Sequence, residues 1–120
     1  MKPKISETSF GSITIDGKTF GYDVIIRLEG TIEKRKKKLS KKIYGTSHTI
    51  SLDEAKYFFE KNAELIIIGS GQYGAAELSN EAVEYFKKKD CKIILKPTAK
   101  ATKEWNNAEG KIIGLFHITC

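Results

Sequence analysis

Helical and extended hydrophobic patterns alternate through the second half of this 120-residue chain, and this alternation restricts the fold more than any other feature. Residues 65–68 form a run that is apolar on both faces, as central strands of parallel sheets are. A helical pattern precedes this run, and two further pairs of a helix and a strand follow it. Strands and helices in this order predict a mostly parallel sheet with helices packed on it.

Capping signals mark where the three predicted helices begin. Residues 51–54 match a capping box, in which the Ser51 side chain accepts from a backbone amide and Glu54 reaches back to the Ser51 amide. Ser79 is placed to open the second helix. Thr98 follows a proline and is predicted to cap the third helix, which we expect to end near Gly110.

The first third of the chain has the period-2 alternation of β-structure. Asp16-Gly17 is a strong signal for a tight hairpin, because type I′ turns need positive φ at both central residues. We therefore predict a three-layer α/β fold, with a central mixed, mostly parallel sheet flanked by helices and an N-terminal β-hairpin layer. Residues 1–120 are expected to form one domain, with residues 1–9 either disordered or an extended tail.

Composition excludes several classes of protein. Hydrophobic residues make up 40% and charged residues 30% of the chain, so it is neither a disordered nor a membrane protein. We expect no membrane contact and a cytoplasmic location. Cys91 and Cys120 are too few for a disulfide framework and predict free thiols in a reducing compartment. Glutamine occurs once while lysine and glutamate are abundant, a bias typical of hot or AT-rich organisms.

Positive charge is concentrated in one segment, residues 34–42. The net charge of the whole chain is +6, and the basic residues of this segment alone exceed that value. The segment can neutralise the phosphates of nucleic acid or another polyanion, or it can be a solvated edge strand or loop. No aromatic residue interrupts it to stack on bases, which counts against nucleic acid. Its basic residues are Lys34, Arg35, Lys36, Lys37, Lys38, Lys41 and Lys42.

A glycine-rich turn, residues 69–74, follows the buried strand and matches the pattern G-x-G-x-x-G. Such a turn can bind a phosphate, because glycine permits close approach of the backbone. Dinucleotide binding is disfavoured, since the next helix begins only near Ser79 and the following strand ends without an acidic residue for a ribose. A generic anion or small-ligand turn and a purely structural turn both stay open.

Residues 45–48, Gly-Thr-Ser-His, place two hydroxyls and an imidazole before the first predicted helix. His48 can act as a general base, or these side chains can satisfy backbone groups at a turn. His48, His117 and Cys120 are also residue types that bind zinc or pair as nucleophile and base, but their spacing is not specific for either. We expect no metal and no cofactor.

Four segments, in their order and spacing, resemble the Mth-nine-thirty-eight domain family. They are Phe-Gly-Ser-Ile at residues 10–13, the basic segment leading into residues 45–48, Ile-Gly-Ser-Gly-Gln at residues 68–72, and Gly-Leu-Phe-His-Ile-Thr-Cys at residues 114–120. The resemblance covers nearly the whole chain and implies a three-layer α/β fold with a central mixed sheet. That family includes a human adipogenesis-associated protein and, more distantly, a mitochondrial assembly factor of respiratory complex I. It brings no catalytic mechanism.

The resemblance further implies that the signature positions converge on one cleft. We predict a cleft formed by Thr46, Ser47, His48, Gly69, Ser70, Gly71, Gln72, Thr98 and Asn106. The function favoured is a non-catalytic binding, adaptor or assembly module with an unidentified protein partner. One alternative is a small-ligand or anion-binding protein, or an enzyme, that uses the cleft, and another is nucleic-acid binding through residues 34–42. Whether the protein is an enzyme, and its oligomeric state, stay open.

Overall fold

The computed structural model describes residues 2–120, which form ten strands and four helices. The strands are β1 (Ile5–Ser9), β2 (Ser12–Ile15), β3 (Lys18–Phe20), β4 (Val24–Ile26), β5 (Ile32–Lys34), β6 (Thr49–Ile50), β7 (Leu65–Ser70), β8 (Glu77–Leu78), β9 (Lys92–Lys96) and β10 (Ile112–His117). The helices are α1 (Lys38–Tyr44), α2 (Leu52–Phe58), α3 (Asn80–Lys88) and α4 (Thr98–Asn107).

The central sheet has the strand order β5-β4-β10-β7-β9. β10 pairs in parallel with β7 and antiparallel with β4, while β7 and β9 are parallel and β4 and β5 antiparallel. The predicted mixed sheet is therefore confirmed, and its parallel part comes from the strands that alternate with helices in the second half of the chain. β1, β2 and β3 form a separate antiparallel sheet, and β6 pairs with β8.

Hydrophobic side chains cover both faces of the central sheet, which confirms the three layers. On one face, Phe58 of α2 and Phe86 of α3 are fully buried and stack with ring centroids 5.8 Å apart. On the other face, Trp105 of α4 packs edge-on against Phe116 of β10, and the β1–β3 sheet adds Ile13 to the same cluster. Burying each such side chain contributes roughly 1.5–3 kcal/mol.

Local signals predicted two helix starts and one turn correctly. The Ser51 side chain accepts from the amide of Glu54, and Ser79 caps α3 in the same way. Asp16 and Gly17 have φ values of 48° and 80°, as the predicted hairpin turn between β2 and β3 requires. Residues 5–9, where the sequence allowed a tail, form strand β1.

Thr98 does not cap α4 as predicted. Pro97 occupies the N-cap position, and the Thr98 hydroxyl accepts from the amide of Gly71 and donates to the carbonyl of His117. The prediction fails because this hydroxyl already joins the glycine-rich turn to β10. One threonine thus links three elements at the end of the central sheet.

The sequence also missed α1, which begins within the basic segment and continues past it to Tyr44. The N-cap residue, Lys37, makes no side-chain cap, and no acidic residue lies in the first turn, so no local signal announces the helix. Gly45 ends it with φ of 72°, in the left-handed region. Of the edge strand or loop that the sequence allowed here, only Lys34 lies in a strand, at the end of β5, which forms one edge of the central sheet.

Gly114 of β10 is a position where even one methyl group cannot be accommodated. A Cβ there would lie 2.7 Å from Cε2 of Phe116 and 3.0 Å from Cζ3 of Trp105, two rings that are fully buried. We expect Gly114→Ala to lower the free energy of unfolding by about 1–3 kcal/mol, because the core must shift to admit the methyl. Urea unfolding measures this change.

Gly21→Ala is the matched control for that substitution. A Cβ at Gly21 meets nothing closer than the carbonyl oxygen of Gly11, 4.0 Å away. Its effect should stay within about 0.5 kcal/mol. Equal effects of the two substitutions would contradict the packing described for Gly114.

Candidate functional site

A cluster of charged and hydroxyl side chains is buried between the central sheet and helices α1 and α2. We call Asp23, Arg35, Ser40, Ser51 and Glu54 the ionic cluster. All five are buried, and Arg35 is 4% exposed. Charges in such a position are stable only when they are paired and hydrogen-bonded.

Arg35 is the centre of the ionic cluster. Its Nη1 donates to Asp23 at 2.9 Å, and its Nη2 donates to Glu54 at 3.1 Å and to the carbonyl oxygen of Ser47 at 2.8 Å. Its Nε donates to the second carboxylate oxygen of Glu54, so that this pair is bidentate. The guanidinium thereby connects the residue before β4, the loop before β6 and helix α2.

Glu54 does not complete the predicted capping box, because its carboxylate turns toward Arg35. Ser40 of α1 donates to Glu54 and takes over the missing role, accepting from the Ser51 amide at 2.9 Å. Without Glu54, the buried guanidinium would keep Asp23 as its carboxylate partner but would lose the bidentate pair. The ionic cluster therefore changes the local cap at the start of α2.

Asp23 is held ionised by its neighbours. Burial acts to raise its pKa, but the hydrogen bond and charge of His117, the Ile118 amide and the Arg35 charge outweigh burial and lower that pKa to about 2. Asp23 Oδ2 lies 2.7 Å from Nδ1 of His117. Because an ionised carboxylate only accepts hydrogen bonds, this contact places a proton on Nδ1.

The other ring nitrogen of His117 faces a hydroxyl. Nε2 lies 3.4 Å from Oγ1 of Thr119, so Asp23, His117 and Thr119 form a line of carboxylate, imidazole and hydroxyl. This order of groups is that of a proton relay to a nucleophile. His117 is only 1% exposed, however, so Thr119 is the member of the line that solvent reaches.

His48 lies beside the same imidazole. The rings of His48 and His117 have centroids 5.6 Å apart and meet edge to face. The Thr46 hydroxyl accepts from the His48 amide at 3.1 Å, which is the turn geometry that the sequence allowed. Within residues 2–120, no group of three or more His, Cys, Asp or Glu side chains is arranged to hold a metal ion.

The amides of the glycine-rich turn are already hydrogen-bonded within the chain. Those of Gln72 and Tyr73 donate to the carbonyl oxygens of Thr119 at 2.7 Å and Cys120 at 3.0 Å. The Gly71 amide donates to Thr98, and the next three amides, at residues 74–76, also donate to oxygens of the protein. A phosphate would have to displace these bonds, so the geometry does not favour the anion-binding alternative.

Part of the predicted cleft does converge, but on a buried imidazole. Ser70 pairs in register with His117, and a Cβ on Gly71 would lie 2.9 Å from the His117 ring. Gly69 abuts Thr98, while the Ser47 carbonyl belongs to the ionic cluster. The cleft predicted from the sequence does not include His117, although His117 lies at the centre of this group.

Asn106 is not part of this group. It lies eight residues beyond Thr98, about 12 Å further along α4. Its side chain accepts from the Ile5 amide at 2.9 Å and donates to the Ile5 carbonyl at 2.7 Å, which fastens β1 to the helix. The neighbouring Trp105 is fully buried and lines no cleft.

The basic segment must be corrected at Arg35, whose guanidinium is buried and unavailable to a polyanion. Lys34, Lys36, Lys38 and Lys41 are exposed, as the solvated-edge interpretation expects. The Lys36 ammonium lies 4.6 Å from the ring centroid of Tyr57, on the same protein. The segment therefore presents lysines without aromatic residues of its own for base stacking.

Two exposed aromatic rings lie at the rim of the glycine-rich turn. Phe10, at the tip of the β1–β2 hairpin, is 57% exposed, and Tyr73 of the turn is 80% exposed. Their ring centroids are 6.1 Å apart. We call Phe10 and Tyr73 the aromatic pair. One signal for it was present in the amino-acid sequence, since Phe10 lies in a segment that carries the family resemblance and Tyr73 directly follows another.

Three surface cavities lie away from the predicted cleft. One lies between α2 and α3, one beside Cys91 at the start of β9, and one along residues 34–38. None of the nine predicted cleft residues lines any of them. In the described part of the chain, no helix is long and apolar enough to cross a membrane.

These features define a three-layer α/β domain with a buried ionic cluster and an exposed aromatic pair. Residues 5–116 match the family described as "Protein of unknown function (DUF498/DUF598)", and the chain belongs to this family. It is similar to the crystal structure of the conserved hypothetical protein PH1505 from Pyrococcus horikoshii OT3, with 35% identity and a TM-score of 0.92. That match covers 98% of this chain and 99% of the other.

Two further structures support the resemblance to the Mth-nine-thirty-eight family, which is confirmed. The protein MT938 is 31% identical, with a TM-score of 0.82 over 99% of this chain and 100% of that one. The solution structure of a Bordetella pertussis protein, described as a Mth938-like domain, has a TM-score of 0.62 over 97% of this chain and 85% of that one. At 14% identity, the latter shows the fold alone.

Removing the guanidinium tests the role of the ionic cluster. We expect Arg35→Met to lower the free energy of unfolding by about 3–5 kcal/mol, because Asp23 and Glu54 would keep buried charges without their cation. Chemical unfolding at neutral pH measures the change. Lys38→Met removes a charge from an exposed residue of the same segment and should change stability by less than about 0.5 kcal/mol. A small effect of Arg35→Met would show that the cluster is not needed for folding.

Proposed function

We propose that this domain is a protein-binding module that contacts its partner through the aromatic pair. The observation that carries the proposal is the exposure of Phe10 and Tyr73, 57% and 80%, on two adjacent loops. Large aromatic side chains are enriched at protein interfaces, where they supply most of the binding energy. A suitable partner presents an apolar side chain that packs against the two rings.

Hydrogen bonds hold the two loops in place before any partner binds. The Gln72 side chain crosses from the turn to the hairpin, donating to the Thr8 hydroxyl and the Ser9 carbonyl oxygen at 3.1 Å each. The Gly11 amide donates to the carbonyl of Ile118 at 2.7 Å. Loops that are already ordered lose less entropy on binding, which favours affinity.

The surroundings of the aromatic pair support binding more than catalysis. The imidazole of His117 is buried, and the turn amides that would stabilise an oxyanion donate to the protein's own oxygens. A bound partner protein would therefore meet fixed aromatic rings instead of reactive groups.

Substitution of both rings tests the proposal. We expect Phe10→Ser combined with Tyr73→Ser to reduce retention of specific partner proteins at least tenfold, because the two rings that pack on the partner are lost. The hydrogen bonds that hold the two loops in place do not involve these side chains and remain. Tagged wild-type and variant proteins are purified gently from cells of the source organism. Quantitative mass spectrometry then compares the proteins retained by each.

Tyr22→Ser is the control, since Tyr22 is 40% exposed and also lies beside another aromatic residue, Phe20. It should retain the same proteins as the wild type. Two results contradict the proposal: an identical set of proteins on the double variant, or no protein retained by the wild type.

A second candidate function rests on the line of Asp23, His117 and Thr119. In this alternative, the Thr119 hydroxyl attacks an acyl or phosphoryl group as its proton passes to Nε2 of His117, and the bond to the leaving group breaks as His117 returns that proton to it. The 2.7 Å contact between Asp23 and Nδ1 and the partial exposure of Thr119 favour it. The amides bound to the protein's own carbonyls count against it, because no oxyanion site is open beside the hydroxyl.

A fluorophosphonate probe distinguishes this candidate. If Thr119 is activated, the probe forms an O–P bond at its hydroxyl and releases fluoride, and peptide mass spectrometry finds the adduct there. Thr119→Val should abolish the adduct, while Thr102→Val removes a hydroxyl that only donates to the Ala99 carbonyl and should not. An unlabelled Thr119 would exclude this candidate.

The proposal also includes a cytoplasmic location. Cys91 is buried and Cys120 is exposed, and both are free thiols. An exposed free thiol is maintained in a reducing compartment. The two free thiols are therefore what supports a cytoplasmic location.

A further inference from the structure

A groove lies between α2 and α3, away from the aromatic pair. Its volume is about 450 Å³. Leu52 and Tyr85 form an apolar floor, and four charged residues stand around it. These four are Lys56, Glu81, Glu84 and Lys88.

The charged side chains around this groove have no partners within the protein. All four are exposed, and none takes part in an ion pair or a side-chain hydrogen bond with another described residue. The ionic cluster and the Arg27–Glu33 pair show that this protein pairs charges elsewhere. Two positive and two negative groups thus surround one apolar floor without neutralising one another.

The order of charges along α3 is that of a self-complementary surface. Glu81, Glu84, Tyr85 and Lys88 follow the spacing i, i+3, i+4, i+7 and so lie on one face of the helix. The acidic residues occupy its first half and the lysine its end. When such a helix packs antiparallel against its own copy, each acidic end meets a basic end.

This symmetry identifies the occupant of the groove. A strongly acidic or basic partner would match only half of the charged rim, whose net charge is zero. A second copy rotated about a two-fold axis near Tyr85 sets the acidic start of α3 beside the basic end of α3 at both contacts, because a two-fold interface uses the same patch on both subunits. Ala82 and Phe86 face the core, so the outer face of α3 is free for this contact.

We propose that the α2–α3 face forms a two-fold homodimer, with α3 antiparallel to α3 of the second copy and Glu81 beside Lys88 of that copy. Tyr85 lies near the axis, where a buried aromatic residue contributes most. Stable interfaces bury roughly 1,200–2,000 Å² in total, so α2 contributes as well through Leu52 and Lys56. The dimer shares no residue with the aromatic pair and does not depend on the proposed function.

Charge reversal at the two ends of α3 tests this arrangement. Glu81→Lys gives a chain with lysine at both positions 81 and 88, and Lys88→Glu gives a chain with glutamate at both. Each variant alone places like charges together at both contacts, and we expect its dimer dissociation constant to rise at least tenfold. Sedimentation velocity at low ionic strength, over a range of protein concentrations, measures the constants.

An equimolar mixture of the two variants is the decisive sample. In the mixed dimer, lysine faces glutamate at both contacts, so dimerisation should return to within about threefold of the wild type. The chain that carries both substitutions should dimerise equally well with itself. Restoration by mixing would show that neither variant is misfolded, because a folding defect in one chain is not repaired by adding the other chain.

Glu7→Lys and Lys103→Glu are the matched controls, since both residues are exposed on other surfaces. Neither variant, alone or mixed, should change the dissociation constant by more than about twofold. A wild type that remains monomeric at millimolar concentration overturns the proposal, as does a mixture that dimerises no better than the single variants. The Phe10 and Tyr73 double variant should remain dimeric, which separates this proposal from the proposed function.

Discussion

The buried guanidinium of Arg35 is the interaction on which the arrangement of one side of this protein depends. It joins Asp23, the carbonyl of Ser47 and Glu54, which come from three separate segments. A buried ion pair often adds little net stability, because removing charges from water costs nearly as much as their attraction returns. Its geometry is nevertheless restrictive, since a planar guanidinium donates to carboxylates best in its own plane. Arg35 therefore helps to fix where α2 meets the sheet, and α1 is joined to it through the bond from Ser40 to Glu54.

Hydrogen bonds connect the same cluster to the aromatic pair. Asp23 accepts from the Ile118 amide at 2.9 Å, and the Ile118 carbonyl accepts from Gly11, next to Phe10. Two residues further along, the Cys120 carbonyl accepts from the amide of Tyr73. The segment after β10 thus lies between the buried charges and both exposed rings. A binding surface built on loops acquires fixed geometry when its loops are anchored to such a core.

How far the sequence predicts this structure depends on whether a signal is local. The Ser51 cap, the Ser79 cap and the Asp16-Gly17 turn involve neighbouring residues, and all three were predicted. Helix α1 was missed, because its start has no local cap and lysines surround it. The burial of the Arg35 side chain depends on contacts with residues up to 19 positions away along the chain, and no local pattern contains that information. One signal was available: the chain has 19 lysines and only two arginines, and both arginines form ion pairs.

The glycine-rich turn needs its glycines because its backbone lies very close to carbonyl oxygens. Glycine at position 71 has φ of 104°, and a Cβ there would overlap the carbonyl carbon of Cys120. In a phosphate-binding loop, glycine serves the same purpose, since it lets the backbone approach an oxygen-rich group closely. Here the oxygens are the carbonyls of Thr119 and Cys120. The pattern G-x-G-x-x-G therefore reports a close approach of backbone to oxygens, and the surrounding fold decides whether those oxygens belong to a ligand or to the protein. In this protein they belong to the segment after β10, and the turn that they hold is the one that exposes Tyr73.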